Sequence, residues 1–468
     1  MIFDKKTKIV ATVGPSTDTL ELLRSLISAG VNVFRFNTKH NEISWHNQRI
    51  KRAQKAATEL KKNIAILIDL QGPEIRIETR GKGEIKVEKG DLITIGENFD
   101  SRDISLALSN KSVFESLSKK DILLIDDGFI ELVVINKKKG RIIAEVIEGG
   151  VIKDKKSLNL PSKNLNLSSL IENDLKSLDM IAKEKIDYVA LSFVRNKKDI
   201  EVLRREMEKR KINAEIVSKI ENKQAIDNLE EIIEYSDAVM VARGDLGIEV
   251  PIERLAYLQR KIVYKCMEAR KPVIIATQML YSMIKNPRPT RAEATDVANA
   301  VFNRADAVML SEETAIGQYP IRAVETMAKI LKFNEKKTGF STLSFKLRTT
   351  TELTISAVVS ILKARPELDI VVVFTESGYT ARVLSSFRPK TKIIALTNNR
   401  KTAEKLSLSC GVEPFFVSFD LASPEAIKNT AEKLRKEKII AKGKKLLIVS
   451  GEHKGRKDII NSFSFIRV

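Results

Sequence analysis

The amino-acid sequence predicts an α/β protein: a closed (β/α)8 barrel with an inserted all-β lid domain, followed by a C-terminal α/β domain. Three observations predict it. Short β-branched runs recur at 8–14, 31–38, 64–70, 188–193, 214–221, 238–245, 272–278 and 307–312, and helical-period stretches such as 19–29, 197–210, 252–270 and 290–304 follow most of them. Strands alternating with helices pair in parallel, and eight such units close a TIM barrel. One interval, after the third run, breaks the rhythm, and beyond residue 338 a different rhythm begins.

In chain order, residues 1–71 hold the first part of the barrel. Within 72–157 the segments 83–87, 121–125, 131–135 and 141–146 alternate apolar and polar residues, with Gly, Asp and Asn between them. Period-two alternation turns one face to a core and the other to water, so this interval is expected to be a small β-barrel lid. It leaves the barrel on the face where barrel chemistry occurs. Residues 158–338 resume the barrel, with a helix starting near Ser168. In 339–468 a helix-like stretch at 352–364 leads into strands at 370–374, 392–397, 412–417 and 445–450, a separate α/β domain.

Bulk composition narrows the function classes. A chain of 468 residues has room for roughly three domains of about 150 residues. The opening MIFDKKTKIV lacks a long apolar stretch before a cleavage site, and no run reaches the ~20 apolar residues of a membrane span. A cytoplasmic protein without a membrane partner is expected. The net charge of +20 raises the question of nucleic acid. The excess is spread in short groups mixed with acids, such as Lys5–Lys6 and Lys61–Lys62, and no nucleic-acid motif accompanies it. Solvated faces, with some steering of small anions, account for it better. Cys266 and Cys410 sit in apolar company and are expected to be buried thiols.

Chemistry in such a barrel gathers at the C-terminal ends of the strands. Those ends carry Arg35 and Asn37 (second), Asp69 (third), Lys219 and Glu221 (fifth), Arg243, Gly244 and Asp245 (sixth), and Thr277 and Gln278 (seventh), with Glu74 and Arg76 just beyond the third. Lys219 and Glu221, two apart on a strand, share a face. Glu221 and Asp245 close neighbouring strands, and two such carboxylates make an oxygen site for Mg²⁺, which takes few protein carboxylates and keeps water and substrate oxygens. A plain Lys219–Glu221 salt bridge is the alternative. Gly244 lets backbone approach a ligand, although a glycine here also makes an ordinary turn.

At this point the chain resembles the pyruvate kinase family. The resemblance rests on VSKIE (217–221), ARGDLG (242–247), ATQM (276–279) and NPRPTRAE (286–293), with VNVFRFN (31–37), DLQGPEIR (69–76), IDDG (125–128), KKSLNLP (155–161) and SFVR (192–195). It implies Mg²⁺- or Mn²⁺-dependent transfer of the phosphoryl group of phosphoenolpyruvate to ADP, giving pyruvate and ATP. Carried over to this sequence, Glu221 and Asp245 hold the divalent metal, and Lys219 stabilises the phosphoryl group in flight. Gly244, Asp245 and Thr277 hold the substrate carboxylate, and Arg35 and Arg76 grip phosphate oxygens. Lys156, His40 and Asn37 reach the nucleotide. Thr277 also lies near the face where the enolate is protonated, by way of a water relay. A homotetramer is implied as well.

The departures are informative. Asn37 and Asp69 match family residues that hold K⁺, but Lys39 and Leu70 replace two oxygen ligands. The expectation is that the Lys39 ammonium substitutes for K⁺, so that K⁺ is not required; Glu74, often Lys in potassium-independent relatives, does not fit this. In the C-terminal domain, TESGYT with Thr375, Ser377, Gly378 and Thr380 resembles the loop that binds a phosphorylated effector in regulated relatives, and Lys454 and Arg456 can add charge. Two rivals stay open here. One is a mutase or lyase acting on a related keto acid, and the other is a basic RNA-binding protein.

Overall fold

The structure, a computed structural model, describes residues 5–467 apart from 109, 139, 162, 164, 166, 339–344, 419–424, 438 and 451–461. Lys454 and Arg456 therefore lie outside the described residues. Eight parallel strands close the central barrel in sequence order: Lys8–Thr12, Val33–Asn37, Ala65–Asp69, Tyr188–Leu191, Glu215–Ile220, Ala238–Ala242, Val273–Ala276 and Ala307–Leu310. They are called the first to eighth barrel strands below. All eight match expected runs, and each is shorter than its run. The sixth loses three residues, all from its C-terminal end. It stops at Ala242, and Arg243–Glu249 forms a short helix, so Asp245 sits in a helix turn and not on a strand. Charged and glycine residues are poorly suited to a fully buried parallel strand, which is why the run breaks there.

Local sequence fixes the helices between strands. Leu20–Ala29 starts where the Thr19 hydroxyl accepts from the Leu22 amide at 3.2 Å and stops at Gly30, whose φ of 122° favours glycine. Arg291–Phe302 begins with a reciprocal Thr290–Glu293 capping box. The helices Ile43–Glu59, Glu172–Ile181, Lys197–Lys209, Leu229–Tyr235, Leu255–Glu268 and Pro320–Lys337 complete the outer ring around an apolar layer that includes Leu23, Leu26, Ile50, Ile262 and Met327.

A second closed barrel is built by strands between Arg76 and Asn159, while the expected segment at 83–87 forms Glu84–Val87, paired with Gly150–Lys153 in a separate two-stranded sheet. The strands of this second barrel run in the order Arg141–Glu148, Leu92–Gly96, Leu106–Ala107, Arg76–Thr79, Lys156–Asn159, Ile122–Ile125 and Ile130–Lys138. Ile77, Ile95, Leu123, Leu132 and Ile142 fill it. The entering strand Arg76–Thr79 pairs antiparallel with the leaving strand Lys156–Asn159, Lys156 opposite Ile77. Both crossings to the main barrel therefore run side by side above its mouth.

The C-terminal sheet is ordered Val412–Phe416, Lys392–Thr397, Ile370–Phe374, Lys445–Ser450 and Ser462–Arg467. The last strand, which the sequence reading did not anticipate, is antiparallel. This domain docks through buried pairs: Arg382–Glu215 at 2.7 Å, Arg388–Asp306 at 2.6 Å and Arg270–Glu352 at 3.3 Å. Glu215 begins the fifth strand and Asp306 precedes the eighth, so the C-terminal domain covers the end of the barrel opposite the mouth. Both cysteines are free and buried. No helix among the described residues is long and apolar enough to cross a membrane.

Candidate active site

The barrel mouth gathers most of the residues expected there into one charged cluster. Lys219 Nζ lies 2.8 Å from Glu221 Oε1 and 3.4 Å from Asp69 Oδ1, and it donates to the Ser192 hydroxyl at 2.8 Å. Arg35 clasps the other Asp69 oxygen through Nε and Nη2, each at 2.7 Å, and reaches Thr12 Oγ1 through Nη1 at 2.9 Å. Glu221 Oε2 accepts from the Phe193 amide at 2.6 Å. Glu221 and Asp69 are each only 1% exposed, so every charge here acts in a poorly solvated setting.

The electrostatics follow from this packing. Burial pushes the Glu221 carboxyl up to about 7; Lys219 opposes the shift and the negative charge of Asp245 adds to it. Burial likewise raises Asp245. Burial works against ionised Asp69 too, but Lys219 and Arg35 outweigh it and hold its carboxyl below the usual range. Lys219, facing Asp69, Glu221 and Asp245, is shifted upward despite burial and stays an ammonium.

Asp245 is the odd member. Its carboxylate has no hydrogen bond or ion pair among the described residues, although it is half-buried beside Glu221 and Lys219. An unpartnered carboxylate in such a place is costly unless a cation joins it. With Glu221 it supplies the two protein oxygens that a Mg²⁺ or Mn²⁺ ion takes, so the residues present fit a divalent metal. No group of three or more His, Cys, Asp or Glu suited to a metal occurs among the described residues, which leaves this two-carboxylate site as the candidate.

Thr277 closes the far side. Its hydroxyl accepts from the Gly244 amide at 2.8 Å and donates to the Ala276 carbonyl at 2.7 Å. The expected Gly244 amide is thus already engaged with Thr277 before any substrate carboxylate arrives. Thr277 and Gln278 adopt φ of 68° and 54°. A β-branched residue in the left-handed region costs about 1–3 kcal/mol and persists only where the surroundings enforce it.

The nucleotide candidates lie toward the lid. Arg76 pairs with Glu74 at 2.8 Å and donates to the Lys155 carbonyl at 2.6 Å. Lys156 pairs with Asp126 at 2.7 Å, inside a left-handed turn formed by Asp126, Asp127 and Gly128. His40 is exposed as a residue, but partial desolvation of its ring, with Lys39 and Arg35, holds it below the usual histidine range, and its carbonyl accepts from His46 Nε2 at 2.7 Å. Asn37 Oδ1 accepts from the Lys39 amide at 3.2 Å. The Lys39 ammonium pairs with Glu74 at 3.0 Å. Between lid and barrel runs a cleft lined in part by Lys39, Glu74, Asp127, Ser157, Phe193 and Asp245.

Comparison with known proteins decides the family. The model described as pyruvate kinase, barrel domain, matches residues 4–324, and the one described as pyruvate kinase, alpha/beta domain, matches residues 352–464. The chain belongs to the pyruvate kinase family. The pyruvate kinase of Staphylococcus epidermidis is 38% identical over 98% of this chain and 79% of its own length. That of Clostridium acetobutylicum is 37% identical over 96% of each. A crystal structure of a pyruvate kinase from Cryptosporidium parvum superposes with a TM-score of 0.92 at 31% identity, covering 100% of this chain and 97% of that one.

Within this pyruvate kinase fold, three residues escaped assignment from the sequence. Thr12 supports Arg35, Ser192 supports Lys219, and Arg243 grips the backbone beside Thr277. Ser192 and Arg243 stood within motifs already noted, but nothing in a linear motif says which neighbour a side chain supports. In the C-terminal domain the effector candidates are less open than expected. Thr375, Gly378 and Thr380 are buried, the Thr375 hydroxyl accepts from the Gly378 amide at 3.0 Å, and Ser377 is the exposed member.

Proposed function

We propose that the chain transfers the phosphoryl group of phosphoenolpyruvate to ADP, with Glu221 and Asp245 holding Mg²⁺ or Mn²⁺. The bond from phosphorus to the enol oxygen breaks, one to a terminal ADP oxygen forms, and the enolate takes up a proton to give pyruvate. The observation that carries this reading is the unpartnered Asp245 carboxylate beside Glu221 and the buried Lys219 ammonium. Glu221 and Asp245 would hold the divalent ion, which would supply positive charge against the negative charge of the transferring group. Lys219, fixed from three sides, presents positive charge to the phosphoryl group without reorganising, which is what such transfers chiefly ask of a protein. Arg35 orients a phosphate, Thr277 and the amides of Gly244 and Asp245 receive the carboxylate, and Arg76, Lys156, His40 and Asn37 serve the nucleotide. The lid 72–157, crossing on adjacent strands, closes over the mouth and excludes water.

The finer properties belong to the same proposal. Lys39 takes the place of K⁺, its charge shared with Glu74. The 375–380 loop binds a phosphorylated effector, Ser377 facing it, and the chain works as a homotetramer. One experiment tests the core: pyruvate formation that depends on both ADP and a divalent metal, measured in buffer free of K⁺ and Na⁺. Pyruvate release without ADP would reject the reading, and activity appearing only on adding K⁺ would reject the role of Lys39.

A further inference from the structure

Arg243 has no role in the proposed chemistry, yet it makes the densest set of contacts at the mouth. Its Nε donates to the Ala276 carbonyl at 3.1 Å and its Nη2 to the Thr277 carbonyl at 2.6 Å. Nη1 meets Asp296, from the helix Arg291–Phe302, at 2.7 Å. The guanidinium also lies 2.8 Å from Met279 Sδ. One planar fork thus spans two consecutive carbonyls and a carboxylate, a pattern that a lysine amine cannot reproduce.

The gripped backbone is the strained one. Thr277 and Gln278 both sit in the left-handed region, and Arg243 holds the Ala276 and Thr277 carbonyls, one on each side of the Thr277 Cα. The adjacent Gly244 amide meanwhile donates to the Thr277 hydroxyl. The ends of the sixth and seventh barrel strands are therefore tied three times, through the Ala276 carbonyl, the Thr277 carbonyl and the Thr277 hydroxyl. A Cβ on Gly244 would meet Thr277 Oγ1 at 3.6 Å, Cβ at 3.7 Å and Cγ2 at 3.7 Å, so the two residues pack in direct contact.

We infer that Arg243 is a positioning residue: its guanidinium holds Thr277 in the conformation that sets the threonine hydroxyl against the Gly244 amide, beside the proposed carboxylate site. This rests on the proposed role of Thr277. Arg243 touches no reacting atom. It acts by making the left-handed conformation the lowest-energy choice for a β-branched residue, and Asp296 fixes the fork from behind.

The test is a double-mutant cycle in the full-length protein, with Arg243→Lys, Thr277→Val and the pair together. Arg243→Lys is expected to lower kcat at least tenfold, to leave KM for ADP within twofold, and to unfold at the wild-type temperature. In the Thr277→Val background the same change should cost less than threefold, because the residue it positions is already gone. Equal fold-losses in the two backgrounds, or an Arg243→Lys enzyme at wild-type kcat, overturn the inference. If Thr277→Val alone is fully active, the role given to Thr277 fails instead. Arg243→Gln, which can still donate to one carbonyl but carries no charge, separates geometry from charge. Loss no greater than in Arg243→Lys supports positioning, whereas loss tenfold greater shows that the charge itself matters and counts against it.

Discussion

Lys219→Met removes one ammonium from between two buried carboxylates, and its consequences can be worked from the distances. At an effective dielectric of ~20, unit charges 2.8 Å and 3.4 Å apart attract by about 5–6 kcal/mol each. Most of that gross attraction offsets the cost of burying the charges, and breaking such a pair costs about 3–5 kcal/mol because the remaining charge is left uncompensated. Asp69 keeps Arg35, while Glu221 keeps only the Phe193 amide, so the loss falls mainly on Glu221. The variant should therefore lose about 3–5 kcal/mol of stability without divalent metal, read from urea unfolding in a chelator. Mn²⁺ should bind it at least as tightly as wild type, because two carboxylates remain and a competing cation is gone. Turnover should fall on the order of 10³-fold, about 4 kcal/mol of lost transition-state stabilisation, with the loss in kcat. The assay couples pyruvate formation to a dehydrogenase at saturating substrates. Turnover within tenfold of wild type, or a defect confined to KM, would refute the reasoning.

Glu221→Gln should weaken Mn²⁺ binding at least about tenfold by calorimetry, since Asp245 alone must then hold the ion; unchanged affinity would place the metal elsewhere. Lys39→Ser should make activity rise with added KCl while the wild type stays indifferent, and two flat titrations would remove the link between Lys39 and the monovalent cation. Asp187, 3% exposed and accepting from the Ile66 amide at 2.8 Å, is pushed by burial up to about 7, with Glu404 adding to the shift and Lys401 and Lys405 opposing it. The folded state thus holds a proton that the unfolded chain releases, so this contribution to stability is full below about pH 4 and is lost as pH rises toward 7. Asp187→Asn should be more stable than wild type at pH 8, by up to about 4 kcal/mol, with the gap closing toward pH 4; parallel pH profiles in urea unfolding would contradict it.

The sequence on its own determined the barrel, the lid and the C-terminal sheet, because period-two and period-3.6 patterns are local records of which face meets a core. It also put Lys219 and Glu221 together at the end of the fifth strand, although that strand stops at Ile220 and Glu221 follows it. What it could not determine was the company each side chain keeps. That Asp69 lies under both Arg35 and Lys219, that Asp245 stands in a helix turn without a partner, and that Arg243 reaches back to the seventh strand all depend on contacts between residues far apart in the chain. The short helix Arg243–Glu249 belongs to the same class, whereas Ser462–Arg467 alternates Ser and Phe, a strand signal present in the sequence whose antiparallel pairing only the sheet decides. Closing the barrel brings eight strand ends to one mouth, and only there do separated charges become a site whose energies depend on burial and distance.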